Sequence, residues 1–596
     1  MENTLLAGLL EEFCDEFGVY EKESKAYEHL INYLVVSRTQ PEAVESAEQI
    51  FRLNVDDGGT FGIDGIAFFV NDNLITTVEE LTEFAKSKSN EVNFTFIQTK
   101  TSSSIDVGEI SKFARAVQNF FQAQSTIIDN QSIRQQKAIK DAIFKRDFAK
   151  NNSKNSPACS LYFAFTGRDL QDATVMAVVE QERENILRAC PEIKNVTFTI
   201  LDSDKVLTIY NDNTNSLEVD ITFRDRIFKE NILGVQELYF GFLEGNEFIK
   251  LIEDSYGNLR KNIFYENVRD YLGDENPVNQ GIISTLCTGE GQQLFPMLNN
   301  GVTVIAKFVK PVSGSTFIVK DYQIVNGCQT SNVIYKFKSK ISDLSKFFVP
   351  IKLIYTNDNS IMEQIIKANN KQSPVPDEAF IALDQFHKQL QEYYKQLSKK
   401  VSSPLYYERR SREITNDSEL TITKKQIVTL HSQIRAYVSV YLNEPHLVYS
   451  NNPTFILKTV RTNLFSSTDS YAPYYISSYI VFQIRELMRT HRLSYSKYHY
   501  FVYYIAFLFR VFSANSISPF PPNNIKDNER EKQQIIGLFE DEDKTMAILN
   551  RCTQVINSVL SKDQYKKARW KDISPTIAFE SAIKVAVARE LDSNKP

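Results

Sequence analysis

A chain of 596 residues exceeds what one hydrophobic core organises and predicts roughly three to four units. Hydrophobic residues at 42% and charged residues at 24% match a globular protein and exclude a disordered one. A formal net charge of −6 excludes a coat of basic surface, so any contact with nucleic acid needs a local groove of clustered Lys and Arg. The apolar stretch 501–512 is broken by Tyr residues and Arg510 and falls short of the roughly 20 residues of a membrane span. The opening MENTLLAGLLEEFCDEF carries acidic residues where a signal peptide is positive. Cys14, Cys159, Cys190, Cys287, Cys328 and Cys552 show no CxxC spacing, and so neither a zinc site nor a disulfide framework. The expectation is a cytoplasmic protein without a membrane partner.

In chain order, residues 22–38 place Tyr27, Leu30, Ile31 and Leu34 at helical spacing, with Glu28 beside that stripe. A second helix is predicted over 43–51, and Asp56-Asp57-Gly58-Gly59 reads as a turn. Strands follow at 65–70 and 92–100, flanking a short helix near 78–86. From Val107, the residues Ile110, Phe113, Ala114, Val117, Phe120 and Phe121 return at helical period. A long exposed helix or loop is expected at 130–154, then a strand at 161–166, a helix at 173–189 and a strand at 196–201. A new unit begins near Asn215, with strands at 217–223 and 237–242, and helical periodicity dominates from Pro376. The expected fold is multidomain α/β and α. Residues 1–214 form a mixed sheet flanked by helices, 215–375 an α+β region, and 376–596 a mainly helical part.

Chemistry concentrates in GIDGIAFFVND and FTFIQTKTSSS. In a strand, Gln98 and Lys100 project to one side and Thr99 to the other, while Asp64 opens the neighbouring strand after a glycine corner. Such a group suits Mg²⁺, which takes oxygen ligands and keeps waters and substrate phosphate oxygens. Asp64 is the charged ligand, the Gln98 amide oxygen a weaker one, and the Thr99 carbonyl completes the shell. Lys100 positions or deprotonates the attacking water and stabilises the phosphoryl charge. The apolar strand leading to Gln98 predicts burial, so the polar pair at its end needs partners. A solvated lysine at a strand end is the bland alternative.

This pattern resembles the PD-(D/E)xK restriction-endonuclease-like nucleases, in the Mrr-like variant with Gln at the second acidic position. The resemblance implies a metal-ligating Glu on the first helix. Glu28 fits that position, with Glu23 the lesser substitute. It further implies Mg²⁺, with Mn²⁺ as a substitute, DNA ahead of RNA as substrate, and a homodimer with paired active sites.

Residues 262–335 read NIFYENVRDYLG, VNQGIISTL, FPMLNNGVTVIAK and DYQIVNGCQTSNVIY; KANNKQSPV, PLYYERRSRE, LNEPHLVY and YAPYYISSYIV follow. Together they closely resemble the AIPR family, bacterial proteins linked to abortive-infection phage resistance, over roughly 215–485. A nuclease-like domain ahead of the shared region fits that family. The resemblance implies antiviral defence, with a trigger or partner protein from the phage. Asn300, Asn326, Gln329 and Asn370 lie in polar turns whose amides read phosphate, ribose or base edges, or else pin the turns. Cys328 reads as a small buried thiol. Arg409, Arg410 and Tyr407 sit in a stretch of basic residues interleaved with aromatics, which suits contact with a nucleic-acid backbone as much as a solvated helix face. His446 reads as a packing residue. The expectation is a metal-dependent endonuclease. The competing reading is a binding protein, without cutting activity, that senses nucleic acid or nucleotide. Nucleotide hydrolysis lacks a phosphate-binding GxxxxGK[ST] loop.

Overall fold

A computed structural model describes residues 3–593 except 57–61, 86, 88, 123–128, 154–155, 169–171, 215–216, 255–256, 265–273, 275, 371–384, 410–413, 415–421, 450–452, 461–463 and 567–568. The chain divides into two compact units. The first holds residues 1–6, 31–41 and 55–380, the second 7–30, 42–54 and 381–596. Both large sheets therefore belong to one unit. The predicted turn residues Asp57, Gly58 and Gly59 lie outside the described residues.

The first unit's N-terminal sheet has the order β2-β1-β3-β4-β5, from β1 (Gly65–Val70), β2 (Asn73–Ile75), β3 (Val92–Lys100), β4 (Ala158–Phe165) and β5 (Asn195–Leu201). β1 runs antiparallel to β2 and β3, and β3, β4 and β5 run parallel, so the sheet is mixed. The hairpin to β2 turns on Asn71 and Asp72, both at positive φ, a conformation Asn and Asp tolerate. β3 is central and buried along most of its length, with Val92, Phe94, Phe96 and Ile97 as its apolar residues. Helix α4 (Val107–Phe121) starts at Asp106, whose carboxylate accepts the Gly108 N–H at 2.8 Å. It buries Ile110, Phe113, Ala114, Val117 and Phe120 in one core with Phe94, Phe96, Phe68 and the helix Ala173–Ala189. The segment expected to be exposed at 130–154 contains a helix, Gln131–Phe144, that buries Ile133, Ile139 and Ile143 in this core.

The second sheet has the order β6-β10-β9-β11-β8-β7, from β6 (Glu218–Thr222), β7 (Asp225–Lys229), β8 (Glu237–Glu244), β9 (Val302–Ser313), β10 (Thr316–Asn326) and β11 (Phe348–Tyr355). One face carries Leu243, Val302, Val304, Val319, Ile324, Ile351 and Leu353 against the helices Gly245–Ile252, Pro277–Leu286 and Cys328–Phe337. A small cluster of Ile305, Val325, Ile354 and Ile366 lies apart from that core.

The second unit is largely helical and includes α1 (Thr4–Phe17) from Ala7 onward, the start of α2 (Glu23–Ser37) and α3 (Ala47–Leu53). Its centre is the helix Val502–Ala514, buried from Val502 to Phe512. The Arg510 that interrupts this apolar run is also buried, and it donates to Asn443 Oδ1 and Ser516 O, both at 3.2 Å. Tyr474 stacks on Tyr437 with ring centres 4.1 Å apart. The aromatic helices after Tyr471 are thus core. Among the described residues, no helix is long and apolar enough to cross a membrane.

Candidate metal and phosphate site

Asp64 is fixed by its backbone before its chemistry matters. Its N–H donates to Ile97 O at 2.9 Å and its carbonyl accepts Val55 N–H at 2.8 Å, extending the β1–β3 ladder by one step. Gly62 turns the chain at φ +91, a left-handed conformation that favours glycine. Gly65 follows because there is no room for more: a Cβ there would lie 2.1 Å from Asn32 Oδ1. Asn32 is itself completely buried, with neither amide atom hydrogen-bonded among the described residues. Gly65→Ala is therefore expected to cost about 1–3 kcal/mol, the usual penalty of overpacking, and to displace Asp64. A lowered thermal midpoint checks this.

Three donors converge on one Asp64 oxygen. Oδ2 accepts the Thr99 N–H at 2.6 Å, the Thr99 hydroxyl at 2.9 Å and the Gln98 amide at 2.8 Å. Asp64, Gln98 and Thr99 are all buried. The carboxylate caps a strand end: β1 ends its pairing at Gly65, so the next N–H on that side of β3 takes a side-chain acceptor. This corrects the simple alternation expected for 98–100, in which Thr99 points away from the site. Both the backbone and the side chain of Thr99 serve Asp64. The Thr99 carbonyl, expected as a metal ligand, accepts Gln98 Nε2 at 3.1 Å. With its nitrogen committed to Asp64 and Thr99, Gln98 keeps Oε1 buried and without a hydrogen-bond partner among the described residues.

Lys100 has a partner that its spacing does not announce. Its ammonium pairs with Glu109 Oε2 at 2.9 Å, in the first turn of α4. That hydrogen bond, with Lys112 adding charge at 3.7 Å, holds the Glu109 carboxyl below the usual carboxylate range. Sequence reasoning missed Glu109. Its signal was an acidic residue three positions after the Asp106 cap, on the helix that directly follows β3. Asp56 was read only as a turn residue, yet one of its carboxylate oxygens lies within 4.8 Å of one from Asp64. Glu28 belongs to the second unit, where it accepts Lys25 Nζ at 2.7 Å and Asn54 Nδ2 at 2.6 Å.

The central motifs meet at the ends of β9 and β10. Asn299 Oδ1 accepts the Gly301 N–H at 2.9 Å and its amide donates to Thr330 Oγ1 at 3.1 Å. Gly301 and Gly327 both take positive φ, where a Cβ would press on Pro350 O and on Val302. Gln329 Oε1 accepts Asn279 Nδ2 at 2.9 Å, Asn326 is half-buried and Asn300 is exposed. Asn370 ends the helix Asn359–Asn370, and its side chain lies outside the described residues. Cys328 is a buried thiol, as expected.

The base-stacking surface expected around 407–410 is not what the second unit presents. Tyr407 is almost wholly buried, its hydroxyl 2.7 Å from His387 Nδ1 and its ring against Tyr394. Arg409 is also buried and donates to Gln391 Oε1 at 2.9 Å. Arg410 lies outside the described residues. His446 joins Glu580 at 2.5 Å and Glu444 at 3.4 Å, and Lys584 binds Glu580 at 2.7 Å.

No curated protein and no solved structure matches the chain. Residues 264–553 match the family model described as AIPR protein, so this stretch of the chain is similar to that family.

Proposed function

We propose that the chain is a metal-dependent endonuclease of anti-phage defence that hydrolyses phosphodiester bonds, with DNA as its substrate. The observation that carries the reading is the buried Gln98 Oε1, unpartnered among the described residues, next to an Asp64 carboxylate that has a second carboxylate, Asp56, within 4.8 Å. An all-oxygen donor set of two carboxylates and an amide fits Mg²⁺ or Mn²⁺. When bound, such an ion lowers the pKa of a coordinated water and neutralises phosphoryl charge. Asp64 would hold the ion, Gln98 would contribute its amide oxygen, and the donors on Oδ2 would keep the carboxylate oriented. Lys100 would meet a phosphate oxygen or the attacking water once Glu109 releases it. The AIPR match supports the defence role.

The experiment is incubation of the full chain with plasmid, linear DNA and RNA in Mg²⁺, in Mn²⁺ and in EDTA. Metal-dependent nicking that stops in EDTA supports the reading, and no cutting under any metal defeats it. Glu109→Gln separates the roles around Lys100. Freeing the ammonium is expected to raise the cleavage rate severalfold, and an unchanged rate removes Glu109 from the site.

The Lys100–Glu109 pair also favours a second reading, a binding protein without cutting activity. Retardation of DNA or binding of nucleotide, with every metal failing to produce cuts, supports it.

A further inference from the structure

On β8, Tyr239, Gly241 and Leu243 are buried, while Phe240 and Phe242 are 50% and 43% exposed on the opposite face of the second sheet. The register brings neighbours to them. Ile227 of β7 pairs with Phe240 and is 71% exposed, and Lys352 of β11 pairs with Phe240 from the other side. Lys229 pairs with Leu238 on the same face, and the exposed Asp225 pairs with Phe242. The alternation is anchored from beneath. Arg226 turns the other way, its guanidinium 4.6 Å from the Phe317 ring centre, and donates to Ser315 Oγ at 3.3 Å. Gly241 opposite it admits β7 closely, since a Cβ there would lie 1.9 Å from Asp225 O. Ile227 and Lys229 are thereby held outward.

We propose that this face is a stacking platform for a single-stranded nucleic acid. Sheet faces that carry aromatic rings at alternate positions take unpaired bases, because every base offers a π face. Phe240 and Phe242 are two residues apart, about 6.7 Å along the strand, which leaves each ring room for its own base. Lys229 and Lys352 make no ion pair among the described residues. The two lysines outnumber Asp225 among the residues paired with Leu238, Phe240 and Phe242, and that balance selects the occupant. An apolar protein surface would strip two ammonium groups of water without return, whereas a nucleic-acid strand brings a phosphate with each base. Duplex DNA offers no free base faces to a flat sheet.

The platform does not depend on the cutting reaction, because it is tested where no metal-dependent cut occurs. Anisotropy of a short fluorescein-labelled oligothymidine is measured with the full chain in EDTA at low salt. The Phe240→Ala/Phe242→Ala protein is expected to bind about 10-fold or more weakly, with duplex binding unchanged. The Phe240→Tyr/Phe242→Tyr protein keeps the rings and is expected to retain affinity. Lys352→Ala is expected to flatten the salt dependence by about one phosphate contact. Unchanged affinity in the double Ala protein, shown folded by its melting curve, overturns the proposal, as does failure of the wild type to bind the oligomer. A double Ala protein that changes its sedimented mass but not its affinity also overturns it and makes the face a self-association surface.

Discussion

Asp64→Ala is expected to lower metal-dependent cleavage by about 1,000-fold or more, beyond the roughly 10–100-fold typical for loss of a group that merely supports a metal ligand. The substitution removes the carboxylate on which the site is organised, together with the acceptor for Thr99 N–H, Thr99 Oγ1 and Gln98 Nε2. The hydroxyl can rotate to another partner, but the backbone N–H cannot, and a buried donor left unsatisfied costs about 1–3 kcal/mol. Asp64→Ala should therefore also melt earlier than wild type. Asp64→Asn separates the two effects. It keeps an acceptor oxygen for Thr99 and restores much of the stability, while its neutral amide binds the cation poorly. Cleavage near the wild-type rate by a folded Asp64→Asn protein would place the reaction elsewhere.

Tyr474→Ala is expected to destabilise the second unit by about 3–5 kcal/mol, the range for emptying a buried aromatic site. Tyr474 is fully buried, stacks on Tyr437 and packs against Phe465 at 5.2 Å. Its hydroxyl donates to Asp469 Oδ2 at 2.9 Å and accepts Phe465 N–H at 2.7 Å. Burial already holds the Asp469 carboxyl above its ordinary range, so removing the phenol strips a partner from a carboxylate that is poorly solvated. Tyr474→Phe isolates that contribution, at about 1–3 kcal/mol. Denaturant unfolding followed by circular dichroism reads both, and an unfolding midpoint unmoved by Tyr474→Ala would contradict the packing described for this helix.

Where one side chain period dominates, the sequence is a faithful guide. The stripe Ile110, Phe113, Ala114, Val117 and Phe120 gives α4, and the alternation of Val92, Phe94 and Phe96 with Asn93 and Thr95 announces β3 as a strand. The short elements were illegible for a reason: β2 has three residues and β7 five, too few for a period to emerge. The burial of Gln131–Phe144 was hidden by its Gln and Lys residues, which outnumber the few apolar contacts that fix it. At the site, spacing pointed to Asp64 and Gln98, which the structure brings together, and did not announce the partners of two neighbours. Thr99 joins Asp64 because a strand end leaves an N–H to satisfy, a consequence of register that no local pattern encodes. Lys100 pairs with Glu109 through the packing of α4, nine residues on, and Asp56 approaches Asp64 across residues whose spacing carries no motif. Tyr407 and Arg409 show the opposite failure. A basic, aromatic stretch reads as a surface, but the hydroxyl and guanidinium found partners in His387 and Gln391 and went inside.

The most direct test compares plasmid cleavage by wild-type and Lys100→Ala protein at equal concentration in Mg²⁺. The expected result is that the wild type converts supercoiled plasmid to nicked and linear forms and that Lys100→Ala, folded and equally able to bind DNA, does so at least about 100-fold more slowly. Equal rates for the two proteins would contradict it.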